Sequence, residues 1–167
     1  MATFKLRGFD EYIAQLERID ENSDETIKRA VYAGAGVVAD AVKSELDKLP
    51  VGPYQYAPKG FMLSTITADQ LKDLQGSFGI SKFQEYAYGM SSSLGFTNVK
   101  LGFDGYGSMP TTKYANGVPN SMLARSIESG TSFRQKNPFV RRATNAVKNE
   151  AVEVMGETIT DEIKKLT

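Results

Sequence analysis

The fold of this chain is decided by residues 23–50, which read SDETIKRAVYAGAGVVADAVKSELDKLP. Apolar residues recur in this stretch at intervals of three and four, the spacing that places them on one face of an α-helix. Ser23 is a favourable N-cap with Asp24 and Glu25 behind it. Pro50 ends the pattern because proline cannot continue a helix. The stretch predicts one long amphipathic helix.

Two glycines lie in the middle of this predicted helix, Gly34 and Gly36. Together they cost about 2 kcal/mol relative to alanine at the same positions. Small residues that are retained at such a cost predict the close approach of another backbone.

The rest of the chain alternates between shorter helices, strands and long loops. Asn120 or Ser121 is the predicted cap of a short helix that Gly130 ends, and Asn137 with Pro138 predicts the start of the last helix. The other predicted elements are a strand over Thr3–Leu6, a helix over Phe9–Ile19, a short helix over Thr67–Leu74, strands around Phe78–Phe83 and Val99–Phe103, and a final helix from Pro138 at its first position to Leu166.

These elements predict an α+β fold, with two long amphipathic helices packed on a small antiparallel β-sheet. At 167 residues the chain suits a single domain over residues 1–167. Glycine, proline and serine mark loop-rich insertions at about 50–64 and 86–119.

Composition excludes several classes of function. The chain has no cysteine, histidine or tryptophan, and its 20 basic and 20 acidic side chains give zero net charge. Disulfide scaffolds, thiol nucleophiles and serine–histidine arrangements are therefore excluded. No apolar run is long enough to span a membrane, and the N-terminus lacks an apolar signal core. A neutral chain also has no overall electrostatic attraction to nucleic acid.

Carboxylates are the remaining candidates for catalysis. Glu150, Glu153, Glu157 and Asp161 share one side of the last predicted helix, which favours a solvated face but leaves a small hydrolase as an alternative. Asp104 lies in a glycine-rich turn that lacks the Lys-Ser/Thr of a phosphate-binding loop. We predict no catalytic residue, no metal site and no cofactor.

Charge and aromatic residues are unevenly placed along the chain. Residues 1–50 carry 7 basic and 10 acidic side chains, whereas residues 111–167 carry 9 and 6. Opposite charge on the two terminal thirds favours contact between them, within one chain or between neighbouring copies. Of the 17 Phe and Tyr residues, 11 lie between Tyr54 and Tyr114. They either pin loops onto the sheet or act as interface anchors.

The C-terminal third resembles a known family. Residues 124–131 read ARSIESGT, and residues 137–143 read NPFVRRA before the final helix. An aliphatic-Glu-x-Gly-Thr turn followed by Pro-Phe-aliphatic-Arg is similar to the tail-component family of long-tailed, lambdoid-type phages. These are small tail-completion or head–tail joining proteins.

This resemblance implies a minor virion component at the neck or the head-proximal end of the tail. It implies a homo-oligomeric ring without a cofactor, whose partners are other phage tail or connector proteins, with no small-molecule substrate and no membrane. DNA would at most pass through the ring lumen. The alternative is a nucleic-acid-binding accessory protein that uses the basic patch of Arg134–Arg142.

We expect the subunit contact to include the segment from Glu128 to Arg142. Pro138 fixes the start of the last helix, and Phe139 anchors that helix in the core. Phe133, Arg134 and Lys136 are expected to point outward, toward an acidic surface of a neighbour formed by Asp20, Glu21, Asp24 and Glu25. A plain surface loop is the alternative. The predicted interface residues are Glu128, Gly130, Thr131, Phe133, Arg134, Lys136, Arg141 and Arg142.

Overall fold

A computed structural model of the protein describes residues 2–3, 23–82, 84–86 and 96–166. The predicted helix over Phe9–Ile19 and most of the predicted strand over Thr3–Leu6 lie outside these residues. The described residues form four helices and five short strands, so the fold is α+β. The helices are α1 (Ser23–Asp47), α2 (Ala68–Ser77), α3 (Asn120–Ser129) and α4 (Phe139–Leu166), and the strands are β1 (Ala2–Thr3), β2 (Phe78–Ile80), β3 (Gln84–Tyr86), β4 (Phe96–Asn98) and β5 (Lys100–Phe103).

Residues 23–50 contain the long helix that was predicted there, α1. It runs for 25 residues from Ser23. Its C-terminus tightens before Pro50, since Lys48 N donates to Glu45 O at 3.3 Å and Leu49 N donates to Leu46 O at 3.1 Å. Such i→i+3 bonds satisfy carbonyls that the last turn leaves without an α-helical partner.

Helix α2 is longer than the predicted turn or two, at ten residues. A reciprocal pair of hydrogen bonds starts it: Gln70 N donates to Thr67 Oγ1 at 3.2 Å, and Thr67 N donates to Gln70 Oε1 at 3.1 Å. This capping box satisfies two of the donors that a helix N-terminus leaves unpaired.

Helix α3 corrects one prediction. Its N-cap is Pro119, and no side chain caps it. Asn120 is a buried first residue whose Nδ2 instead donates to Asp104 O at 3.0 Å. The asparagine therefore ties the helix start to the preceding loop, which a local capping pattern does not reveal.

The strands form two small sheets. In the first the order is β1-β5-β2, and β1 pairs antiparallel with β5 with Ala2 opposite Leu101. In the second, β3 pairs antiparallel with β4, with Tyr86 opposite Phe96. This second sheet was not predicted, because two three-residue strands carry too few residues for an alternating pattern. The segment expected to be loop-rich, 86–119, therefore contains β4, which was not predicted, as well as β5, which confirms the strand predicted at Val99–Phe103.

The described chain divides into two compact units, each built from separate stretches. The first, the 102–146 unit, comprises residues 39–79 and 102–146. The second comprises Ala2–Val38, Ile80–Leu101 and residues from Val147 on. Helices α1 and α4 each contribute residues to both units, so the chain does not divide into consecutive halves. A single domain over residues 1–167 stays a prediction.

Each unit has its own buried side chains. In the second unit, Met155 of α4 lies against Gly34 of α1 in a cluster with Ile27, Ala30, Val31, Ala35, Val99 and Ile159. A Cβ on Gly34 would lie 2.6 Å from Met155 Cγ and 3.2 Å from Ala151 O. The close approach predicted from the two glycines is therefore confirmed at Gly34, whereas no atom lies within 4 Å of a Cβ on Gly36.

In the 102–146 unit, Phe139, Leu46, Leu74 and Val42 are fully buried. Among residues 2–3, 23–82, 84–86 and 96–166, no helix combines the length and the apolar character that crossing a bilayer requires.

Candidate functional site

The segment between α3 and α4 reverses the chain at Gly130. This residue has φ 74° and ψ 167°, and its N–H donates to Ser126 O at 3.0 Å. The positive φ agrees with the expectation of a glycine at C′, although ψ is more extended than in a left-handed helical turn. A Cβ here would lie 3.0 Å from Lys136 N and 3.2 Å from Arg134 O. The following loop therefore folds back closely on Gly130, and a side chain here would be strained both by the positive φ and by these contacts.

Glu128, one of the predicted interface residues, caps helix α4. Its Oε2 accepts from Val140 N at 2.9 Å and its Oε1 accepts from Arg141 N at 3.1 Å. A carboxylate at a helix N-terminus is also favoured by the helix dipole. The glutamate of the Glu-x-Gly-Thr turn thus fixes α3 to α4 within one chain.

Asn137 is not the cap that the sequence suggested. Its Oδ1 accepts from Arg142 Nη2 at 3.0 Å, and its backbone N–H donates to Ile127 O at 2.8 Å. Pro138 O accepts the first helical bond, from Arg142 N at 3.0 Å, so Pro138 precedes the helix by one residue. The cap comes from Glu128 instead, a residue distant in sequence.

Phe139 begins α4 and is fully buried. Its ring lies edge-on to Phe103, with centroids 6.2 Å apart, and Phe103 is 5.0 Å from Phe78. This aromatic row joins the start of α4 to β5 and β2 within the 102–146 unit. Phe139 therefore holds the 128–142 segment in place.

The expectation that Arg134 points outward is wrong. Its residue exposure is 5%, and Nη1 donates to Thr65 O at 2.9 Å. The cause is a parallel bridge: Leu63 N donates to Phe133 O, and Gln135 N donates to Leu63 O, both at 2.8 Å. Neighbouring residues of an extended segment point to opposite sides. Phe133, at 52% exposure, takes the outer side and Arg134 the inner one.

Burial leaves the Arg134 side chain incompletely satisfied. Its Nε has no hydrogen-bond partner among the described residues. Loss of hydration lowers the pKa of this guanidinium below its ordinary value, because burial penalises the charged form.

The other cations of the predicted patch are in different situations. Arg142 Nε donates to Glu45 Oε2, and Lys48 Nζ also donates to Glu45, at 2.8 Å. These bonds, with Lys48 contributing most, lower the pKa of the Glu45 carboxyl. Lys136 and Arg141 are exposed, and Thr131 is half-buried. Of the four cations in the predicted basic patch, Lys136 and Arg141 are therefore exposed, whereas Arg142 is paired with Glu45 and Arg134 is buried.

A cavity of about 240 Å³ lies beside the same segment. Arg134 and Phe133 line it together with residues of α2, α3 and the 107–118 loop. Its apolar wall includes Met109, Val118 and Leu123. Sequence reasoning missed this cavity, since its lining comes from separate stretches between residues 55 and 134 that share no motif.

Three ionisable side chains other than tyrosine line this cavity: Arg134, Lys113 and Asp73. Asp73 Oδ2 accepts from Ser108 N at 2.7 Å and from Ser108 Oγ at 2.8 Å. The Lys113 ammonium lies 5.6 Å from the centroid of the Tyr114 ring.

The candidate acid–base residues are on the surface. Glu150, Glu153 and Glu157 are exposed on α4, as is Asp161, which fits the solvated face that their spacing favoured. Asp104 is also exposed. Across the described ranges no three acidic side chains form a group that could hold a metal ion.

Comparisons of the chain with protein-family models, with curated proteins and with solved structures found no match.

Proposed function

We propose that this protein is a non-enzymatic assembly protein of the virion of a tailed phage or prophage. In this proposal it is a minor tail or neck component that completes the tail or joins head to tail as a homo-oligomeric ring. The phage part rests on the resemblance of residues 124–131 and 137–143 to the tail-component family. The assembly part rests on the surface described next.

The observation that carries the assembly proposal is the distribution of exposed apolar side chains. Eleven large apolar side chains are exposed among the described residues, and eight of them belong to the 102–146 unit. Concentrated exposed apolar surface is typical of protein interaction sites. The eight are Val51, Tyr54, Tyr56, Phe61, Met62, Tyr106, Met122 and Phe133.

This exposed set supports the interface-anchor alternative for the aromatic loop residues. Tyr54, Tyr56 and Phe61 are each more than half exposed, so more than half of each side chain is left for a partner to cover. Tyrosine and phenylalanine are enriched at protein interfaces because they bury much apolar area with few rotatable bonds. A partner that covers them would bury this area.

Charge supports contact between copies of the chain. Lys136 and Arg141 of the 128–142 segment are exposed, while Asp24 and Glu25 are exposed in the first turn of α1. Opposite charges on two surfaces steer association and set its orientation. We propose that the 128–142 segment of one copy contacts the start of α1 in the next, with α1 and α4 as the two long amphipathic helices that support both surfaces.

Two experiments test the proposal. Light scattering of the purified protein should give a mass several times that of the 18.3 kDa chain, whereas a monomer mass would contradict the ring. Electron microscopy of lysates from a phage or prophage that lacks the gene should show separate full heads and tails, or defective tails. Normal virions in such lysates would contradict the proposed role.

Nucleic-acid binding through Arg134–Arg142 is the alternative, and its support is weaker. Arg134 is buried and Arg142 is paired with Glu45, so two of the four cations are not displayed freely. Steeply salt-dependent DNA binding that is lost in Lys136→Glu with Arg141→Glu would favour this alternative, since counterion release makes such binding depend on salt.

A further inference from the structure

The cavity is lined by a buried cation, Arg134, that has no carboxylate partner among the described residues. No carboxylate of the described residues forms an ion pair with its guanidinium, and its hydrogen-bond acceptor is the neutral Thr65 O. Burying a charge is costly unless a counter-charge and hydrogen bonds compensate it. An anion that enters the cavity would therefore be stabilised.

The other charges on the lining also favour an anion. Lys113 adds a second cation, and Asp73 is the one carboxylate among the residues that line the cavity. Its Oδ2 already accepts two hydrogen bonds from Ser108, which hold it at the wall. The lining thus carries one more positive than negative charge.

The apolar part of the cavity lining limits the chemistry of the rest of the ligand, beyond its anionic group. Met109, Val118 and Leu123 form a wall that a hydrated inorganic ion would not contact favourably. An apolar cavity of about 150 Å³ already accommodates a benzene ring. At about 240 Å³ this cavity has room for such a ring and a carboxylate, and it is smaller than most drug-sized pockets, which span roughly 300–1,000 Å³.

We propose that this cavity binds a carboxylate carried on a small apolar body. The Arg134 guanidinium holds the carboxylate, and Met109, Val118 and Leu123 contact the apolar part. A guanidinium suits this role because its planar fork of donors matches the two oxygens of a carboxylate. The site does not depend on the assembly proposal, since a free organic acid would bind in the same way.

Isothermal titration calorimetry of the full chain tests the site with three matched probes: phenylacetate, its neutral isostere phenylacetamide, and the cation phenethylammonium. We expect saturable binding of phenylacetate, at least about tenfold tighter than that of the amide, because a charge-assisted hydrogen bond is roughly twice as strong as a neutral one. The cation should not bind measurably. Absence of saturable phenylacetate binding, or equal affinity for acid and amide, would overturn the proposal.

Two variants test whether Arg134 causes the preference for phenylacetate over phenylacetamide. Arg134→Met should remove the preference for acid over amide, and an apolar replacement for a buried charge is often tolerated in folding. Arg125→Met is the control, because Arg125 is an exposed arginine that does not line the cavity, and this variant should keep the preference. Retention of the full preference in folded Arg134→Met contradicts the proposal. If Arg134→Met does not fold, the comparison of phenylacetate with phenylacetamide on the unaltered chain still tests whether the cavity prefers a carboxylate.

The same chemistry can come from a free organic acid or from an acidic side chain of a second copy, beside an apolar residue. Light scattering with saturating phenylacetate separates these sources. A fall in mass assigns the natural carboxylate to a neighbouring copy, whereas an unchanged mass assigns the site to a free acid. Since binding and mass are measured separately, failure of the site and failure of the assembly proposal give different results.

Discussion

The Glu128 carboxylate accepts a hydrogen bond from the backbone N–H of Val140 at 2.9 Å, across twelve residues of sequence. The other carboxylate oxygen accepts from Arg141 N, so one side chain satisfies two first-turn donors of α4. The loop between α3 and α4 is thereby closed at its base. The residues of this loop, including Phe133, are therefore held in a fixed position.

The cap predicts a measurable loss of stability. Glu128→Ala should lower the free energy of unfolding by about 1 kcal/mol, within the 0.5–2 kcal/mol typical of lost caps. Glu128→Gln should lose less, since its amide oxygen still accepts one bond. Urea unfolding measures both. Glu150→Ala, which removes an exposed carboxylate from α4, is the control, and equal midpoints for Glu128→Ala and Glu150→Ala would mean that the cap contributes nothing.

Gly130 should tolerate substitution worse than another glycine with positive φ. Gly60 has φ 84° with no atom within 4 Å of a Cβ, whereas a Cβ on Gly130 meets Lys136 N at 3.0 Å. Gly60→Ala should therefore lower the free energy of unfolding only by the cost of a positive φ for alanine, about 1–2 kcal/mol. Gly130→Ala should cost more than Gly60→Ala. Thermal melts compare the two, and a larger loss at Gly60 contradicts the prediction.

Two helical glycines should respond to alanine with opposite signs. Gly36→Ala should stabilise by up to about 1 kcal/mol, because alanine is the better helix former and the site has space. Gly34→Ala should destabilise, because the new methyl group meets the buried Met155 and the Ala151 carbonyl. Chemical unfolding of both variants tests this difference. Stabilisation by Gly34→Ala would show that Met155 moves aside freely.

The Glu45 ion pairs predict loss of stability at acid pH. Lys48 and Arg142 lower the folded-state pKa of Glu45 below its ordinary 4.5. The stabilisation is therefore fully present above pH 4.5 and is lost as the pH falls through the lowered folded-state value. Glu45→Gln should flatten the dependence of the urea midpoint on pH in this range. Arg142→Gln should flatten it partly and add nothing to Glu45→Gln, so additive effects would exclude the pairing.

The exposed side of the 128–142 segment predicts a change in assembly without a change in folding. Phe133→Ser with Lys136→Glu should lower the mass measured by light scattering and leave the far-UV circular dichroism spectrum of the folded chain unchanged, since Lys136 is exposed and Phe133 is half-exposed. Val152→Ser is the control, because it removes an exposed apolar side chain from the second unit. If the double variant keeps its mass, the subunit contact lies elsewhere.

Local patterns determined most of the helical structure. The periodic stretch from Ser23 to Pro50 predicted α1 within three residues of its end, and Pro138-Phe139 predicted the start of α4 within one. Such patterns succeed because a helix is stabilised by interactions three and four residues apart, all of which a sequence displays. The close approach of another backbone at Gly34 could be predicted for the same reason, although the contact with Met155 could not.

Only the tertiary structure determined which residues form the candidate site. Glu128 rather than Asn137 caps α4, and Arg134 turns inward because Leu63, 71 residues earlier, bridges it. The cavity forms from stretches that are separate in sequence. A sequence displays neighbours along the chain, but long-range pairing depends on how loops close in three dimensions. A buried cation and an exposed one are therefore indistinguishable by residue type, and only the fold decided that Arg134 is the former.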